Sequence, residues 1–172
     1  MNAASTLTCD GVVLRPLLIS DAAALFVALS DGETQRFRRA EMHKNASETE
    51  RYIIDTLARS RAAWAITQDH GEALGRLALR EPDTGVGEFG IVIRRDAQGR
   101  GLGTQAIALA AEWAFSALGM TTLRADIDAE NAASIALFSR CGFAQTAYLP
   151  GHRTTKLGLR DTVILSKTRA AA

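Results

Sequence analysis

Residues 98–104 read Gln-Gly-Arg-Gly-Leu-Gly-Thr, between an apolar strand-like run and an apolar helix-like run. Gly99, Gly101 and Gly103 lack Cβ atoms, so the backbone there can turn sharply and leave its N–H groups unshielded. A helix starting at once afterwards adds N–H groups without intrahelical partners and the positive end of its dipole. Together these features form a cradle for an anion, most often a phosphate. No other stretch carries so specific a chemistry. Cys9 and Cys141 lie far apart without CxxC or Cys/His spacing, and read as free thiols in a reducing compartment. His43, His70 and His152 form no HExxH-like pattern, so no metal site is expected.

The elements that must hold this loop follow from pattern and punctuation. Val12–Leu14, closed by Arg15-Pro16, reads as a first strand, and Ser20-Asp21 offers a cap for a helix carrying Leu25, Phe26 and Leu29. Residues 31–46 are polar, with Arg36, Arg38, Arg39 and Lys44 against Glu33 and Glu41, as in a loop or helical turn. Ser47 and Glu50 have capping-box spacing before a helix with Tyr52, Ile53 and Leu57. Runs at 64–67, 73–79 and 88–93, separated by turn residues, predict an antiparallel meander. A helix from about Thr104 to Leu118 ends at Gly119; a strand at 122–127 and a helix from Asn131 to Arg140, closed by Gly142, follow. Strands at 144–148 and 162–166 complete an α/β pattern with a mixed sheet and helices on both faces.

Composition narrows the class. The chain has 172 residues, 47% apolar and 23% charged, which suits one soluble domain spanning 1–172 with its core at about 12–167. A net charge of +1 gives no electrostatic case for nucleic acid or membrane partners. No 18-residue apolar run and no secretory h-region occur, so a cytoplasmic location is expected.

Three phosphate motifs compete for the loop. A Walker A loop needs Gly-Lys-Ser/Thr, and Gly103-Thr104 lacks the lysine. Gly101-x-Gly103-x-x-Ala106 satisfies the Rossmann spacing, and Asp126 and Asp128 stand near the end of the next strand, where a ribose-binding acid belongs. The preceding strand, however, ends near Ile93, about eight residues before Gly101, whereas a Rossmann turn follows its strand at once. The third motif, Q/R-x-x-G-x-G/A, is matched by Gln98, Gly101 and Gly103.

With this third motif the chain resembles the GNAT superfamily of acetyl-CoA-dependent N-acetyltransferases. Glu88-Phe89-Gly90-Ile91-Val92-Ile93 resembles that family's strand before the loop. Asn131 to Phe143, with Ser134, Leu137, Arg140 and Gly142, is similar to its N-x-x-S helix block, and Val12–Pro16 to its opening L-R-P strand. The likeness runs from about Val12 to Lys167 and is nearest the RimJ/RimL type, whose members acetylate protein N-termini or small amines.

The resemblance implies a mixed, mostly antiparallel sheet of about six or seven strands, in which two central parallel strands splay to hold the cofactor. It places the CoA pyrophosphate on the amides of Gly99, Arg100, Gly101, Leu102, Gly103 and Thr104 beside Gln98, with Arg140 near its phosphates. The pantetheine arm would lie between Gly90–Ile93 and Arg124–Ile127, with an N–H near Ile91 or Val92 on the thioester oxygen; Ile93 and Phe138 complete the cofactor contacts. Asn131 would bind the pantetheine amide or a water, and Ser134 would protonate the departing thiolate, because Phe138 stands where many relatives carry a tyrosine. Glu88 is the expected base or water relay for the amine, with His152 second; both are also ordinary surface groups. Arg36, Arg38, Arg39 and Lys44 fall where the resemblance puts one wall of the acceptor cleft, and read either as a site for an acidic part of the acceptor or as a solvated basic loop. A homodimer is frequent among such relatives. The rival readings are a catalytically weak acyl-CoA-binding or regulatory module of the same fold, and a dinucleotide-binding protein.

Overall fold

The computed structural model describes residues 4–170. The chain runs β1 (Leu7–Cys9), β2 (Val12–Pro16), a 3-10 turn (Ile19–Asp21), α1 (Ala22–Leu29), α2 (Ala46–Arg59), β3 (Ala62–Gln68), β4 (Gly75–Asp83), β5 (Val86–Ile93), a 3-10 turn (Arg95–Ala97), α3 (Leu102–Ser116), β6 (Thr122–Asp128), α4 (Ala132–Arg140), β7 (Ala144–Thr155) and β8 (Gly158–Thr168). Eight strands among the described residues form one sheet in the order β1-β2-β3-β4-β5-β6-β8-β7. Every neighbouring pair is antiparallel except β5 and β6.

The mixed sheet with helices on both faces agrees with the expectation, with one strand more than counted. The extra strand, β1, turns into β2 through Asp10-Gly11, whose φ values of 46° and 83° are both left-handed. Asp-Gly is a favoured two-residue hairpin turn, but three residues of β1 are too few for periodicity to register. At the other edge, β7 and β8 run well past the expected 144–148 and 162–166. The register shifts between Leu149 and Arg153, and His152 therefore lies in an exposed strand instead of a loop.

Strand alternation divides the core. Trp64, Ile66, Leu77, Leu79, Phe89, Leu123, Ala125 and Ile127 meet α3 and α4 on one face. Ala63, Ala65, Ala78 and Val92 meet Leu17, Leu25, Leu29 and Ile53 on the other, where alanines let α1 and α2 sit close to the sheet. By the same period of two, Arg76, Arg80, Glu88, Gly90, Arg124, Asp126 and Asp128 all belong to the α1/α2 face.

The cap of α2 differs from the Ser47/Glu50 expectation. Asn45 is the N-cap, accepting from Glu48 N–H at 3.0 Å, while Glu48 reaches back to Lys44 N–H at 2.7 Å. Asn caps as well as Ser and has its own Glu three residues on, so the helix starts two residues earlier. Asn45→Ala should lower stability by about 1 kcal/mol in urea denaturation, and Ser47→Ala by less than about 0.5 kcal/mol.

Candidate active site

The parallel strands β5 and β6 pair only at Val86/Thr122, Gly87/Leu123 and Glu88/Arg124, although both continue for several residues. Beyond Glu88 they splay, and backbone parity shows which groups face the gap. Arg94 N–H donates to Leu74 C=O at 2.8 Å, in the register that pairs Ile93 with Gly75. Even-numbered residues of β5 are therefore bonded to β4, and Ile91 and Ile93 turn their N–H and C=O toward β6. Val92 N–H is engaged in the β4 ladder, which removes it as a donor to the gap and leaves Ile91 of the two sequence candidates. On β6, Ala129 N–H donates to Asp161 C=O, so Asp126 turns its backbone toward β5.

The glycine loop closes one end of the gap. Gly99 and Gly101 have φ of +76° and +78°, and a Cβ on either would meet nothing within 4 Å. These glycines are required by backbone conformation, not by space. Gly101 is the N-cap of α3, and the first helical bond runs from Gln105 N–H to Gly101 C=O, so the N–H groups of Leu102, Gly103 and Thr104 precede it. At Gly103 the reason is close approach: a Cβ would stand 3.0 Å from Ile93 and 3.1 Å from Leu137. Gln98 donates to Ile93 C=O at 3.0 Å, tying the loop to the end of β5. The Arg100 guanidinium folds back to donate to Asp96 C=O at 2.6 Å.

Loop and gap open into a cleft of about 1150 Å³ that runs on to the α1/α2 face. Asn131 and Ser134 line it at the start of α4. The Asn131 side-chain oxygen caps the helix by accepting from Ser134 N–H at 3.2 Å, leaving its two amide N–H donors for the cleft. Arg140 lines the cleft from the last turn of α4. Phe138 is 2% exposed and packs edge-on to Phe143 at 5.2 Å, so it acts as core and contributes to the cleft only as wall. Cys141 donates to Thr104 C=O and is pushed up by burial, consistent with a packing role between α3 and α4.

Glu88 is not the free carboxylate expected at a strand edge. Its two oxygens accept from Arg80 at 2.7 Å and Arg124 at 3.0 Å. Arg124 also faces Asp126 at 3.6 Å, and Arg153 donates to Asp126 at 3.1 Å, so one wall of the cleft alternates cation and carboxylate. Arg80 and Arg124 come from the strands on either side of Glu88 and Arg153 from β7 beyond β8, and sequence spacing could not name them.

The opposite wall is mainly cationic, although Glu33 and Asp55 also line the cleft. Arg36, Arg38 and Arg39 line the cleft as expected; Lys44 does not, because its backbone is held at the start of α2. Two residues that the sequence reading missed join them. Arg76 donates to Gly90 C=O at 2.9 Å and to the Tyr52 hydroxyl. The Tyr52 ring lies 5.0 Å from the Arg38 guanidinium and 5.3 Å from that of Arg76. Burial pushes the Tyr52 phenol up, but the Arg76 and Arg38 charges outweigh it and bring the phenol down to about 8. The available signal was a single arginine inside the otherwise apolar run 73–79.

With this geometry in place, comparison is decisive: residues 12–144 match the acetyltransferase (GNAT) domain. The chain belongs to the GNAT acetyltransferase family. Among relatives of this GNAT chain is an uncharacterized N-acetyltransferase p20 from Bacillus licheniformis, 23% identical over 94% of both chains. A probable GNAT-family acetyltransferase from Chromobacterium violaceum is 26% identical with a TM-score of 0.87, covering 98% of this chain and 88% of its own. Mycobacterium smegmatis RimJ, in complex with CoA-disulfide, superposes with a TM-score of 0.83 at 21% identity, over 95% of this chain and 86% of its own.

Proposed function

We propose that the protein is an acetyl-CoA-dependent N-acetyltransferase of RimJ/RimL type that acetylates a primary amine by direct attack in a ternary complex. The observation that carries this reading is the end of β5/β6 pairing at Glu88/Arg124, directly beside a loop whose left-handed glycines present unbonded helix N–H groups. The fit is specific. Leu102, Gly103 and Thr104 N–H would take a pyrophosphate, and the unpaired backbone edges at Ile91 and Asp126 both face the gap, where one extended strand-like arm could pair with them. RimJ, which holds CoA-disulfide on the same fold, supports the choice of ligand.

Acetyl-CoA supplies the activated thioester; the chain supplies position and protons. Ile91 N–H donates to the acyl oxygen as negative charge develops there. Glu88, fixed by Arg80 and Arg124, keeps lone pairs for a water that takes the proton of the amine. Asn131 N–H groups orient the arm. Ser134, whose hydroxyl has no partner among the described residues, protonates the leaving thiolate.

Acetyl-CoA at about 100 times its Kd should stabilise the protein by about 2.7 kcal/mol in a thermal-shift assay, and NAD should leave it unchanged. Thiol release with an amine and N-terminal-peptide panel then tests transfer. Glu88→Gln and Ser134→Ala should each lower kcat about 100-fold while keeping the acetyl-CoA shift. Stabilisation without thiol release from any amine would favour the binding-module reading.

A further inference from the structure

We infer that Arg38 and Arg76, grouped on the Tyr52 ring, form a binding site for a carboxylate of the acceptor, so that the substrates are amines carrying a carboxylate close to the amino group. This rests on the acetyltransferase reading and names the substrate class of the same cleft.

Arg76 is 7% exposed in the middle of β4 and lines the cleft. Its Nε is buried without a hydrogen-bond partner, and so is Arg38 Nη1. Neither guanidinium has an ion-pair partner among the described residues, whereas Glu88 and Asp126 are both held by other arginines. A buried cation and a half-buried one in contact with one phenol and no carboxylate are unfavourable unless an anion joins them. The Tyr52 hydroxyl is the group nearest to serving as that anion, and it is only partly ionised at neutral pH. A ligand carboxylate suits the site better. Arg76 has more N–H donors than Gly90 C=O and the Tyr52 hydroxyl engage, and Arg38 lies on the same ring, so the two oxygens of one carboxylate can bridge the two guanidinium groups.

The position of Arg76 also sets the distance from the chemistry. The Gly90 C=O that it holds belongs to the same peptide unit as the Ile91 N–H facing the gap. Donation to the oxygen polarises that unit and strengthens the N–H donor on its other side. A carboxylate on Arg76 is therefore one peptide plane from the acyl group. Glu88, on the same sheet face, keeps lone pairs to accept from the amine through a water. An amino acid, or a peptide N-terminus beginning with Asp or Glu, meets both requirements.

Two assays test this. In thiol release, free amino acids should exceed their amides, or Asp- and Glu-initiated peptides their Asn and Gln counterparts, by about 10- to 100-fold in kcat/KM. The pair showing the preference identifies the source of the carboxylate. Arg38→Gln should remove most of the preference through KM, and Arg38→Lys should restore only part of it. The second readout needs no turnover. The chain has two tyrosines, and Tyr148 is pushed up by its bond to Asp161, so the first tyrosinate absorbance to appear is that of Tyr52. Tyr52 is faced by Arg38, Arg76 and His43, and His43 is held down by burial and by Arg38. Adding an N-acetyl amino acid should move the Tyr52 titration to higher pH, and its amide should not. Turnover indifferent to the carboxylate, with an unmoved Tyr52 titration, overturns the site and leaves the transferase standing. A moved titration without transfer to any amine supports the site and overturns the transferase.

Discussion

Gly101→Val should lower kcat/KM for acetyl-CoA by at least about 100-fold while the protein remains folded. The substitution meets no atom, since a Cβ at Gly101 has nothing within 4 Å. Its effect comes through φ, which is +78° at the N-cap of α3. A β-branched residue resists that region by about 1–2 kcal/mol. The chain relieves the strain by rotating the peptide units around residue 101, and these aim the Leu102 and Gly103 N–H groups. Losing two hydrogen bonds to a charged group, at about 1.5–3 kcal/mol each, accounts for the 100-fold. Gly101→Asn, which tolerates left-handed backbone, should retain most of the affinity. Calorimetric titration with CoA beside initial rates decides the matter: undiminished CoA affinity in Gly101→Val would remove the loop from the binding site.

The second large effect lies at the far side of the cleft. Asp128→Ala should destabilise the fold by about 3 kcal/mol, the low end for a broken buried ion pair. The Asp128 side chain is 5% exposed and takes two bonds from Arg160, both at 2.9 Å, and one from Glu130 N–H at 2.9 Å. Its backbone C=O accepts Asn131 N–H, so the same residue fixes the start of α4. Arg160 retains some solvent and Glu130 as partners, which limits the loss. The Arg160 hydrogen bonds hold the Asp128 carboxyl below its ordinary range against the opposing effect of burial. A carboxyl depressed on folding contributes fully above its unfolded value near about 4, and that contribution disappears as pH falls through the lower folded value. Urea denaturation should therefore show the full gap between wild type and Asp128→Ala at neutral pH and a shrinking one in strong acid. An undiminished gap there would assign the effect to packing.

What the sequence made legible is what local backbone chemistry decides. Gly142 closes α4 because Phe143 and Gly142 N–H reach back to Phe138 and Ser139, a pattern readable from one glycine after a helical run. The glycine cradle and the meander are of the same kind. What stayed hidden depends on register. Glu88 looked like a free base because Arg80 and Arg124, which hold it, lie on β4 and β6, and only strand alignment sets them beside it. Ile91 and Val92 were equivalent until the Arg94–Leu74 bond fixed which amides face β4. Tyr52 read as one more residue on a helix face, since its partners come from the 31–45 segment and from β4.

The short run of pairs between β5 and β6 has a mechanical consequence. Within the sheet, two panels, β1 to β5 and β6 to β8, are joined by a seam of three residue pairs. An extended molecule lying in the gap would act as the missing length of that seam, bonded to Ile91 on one panel and Asp126 on the other. Occupancy would then be felt as cohesion: amide exchange should slow along both panels at once, farther from the cleft than any direct contact reaches.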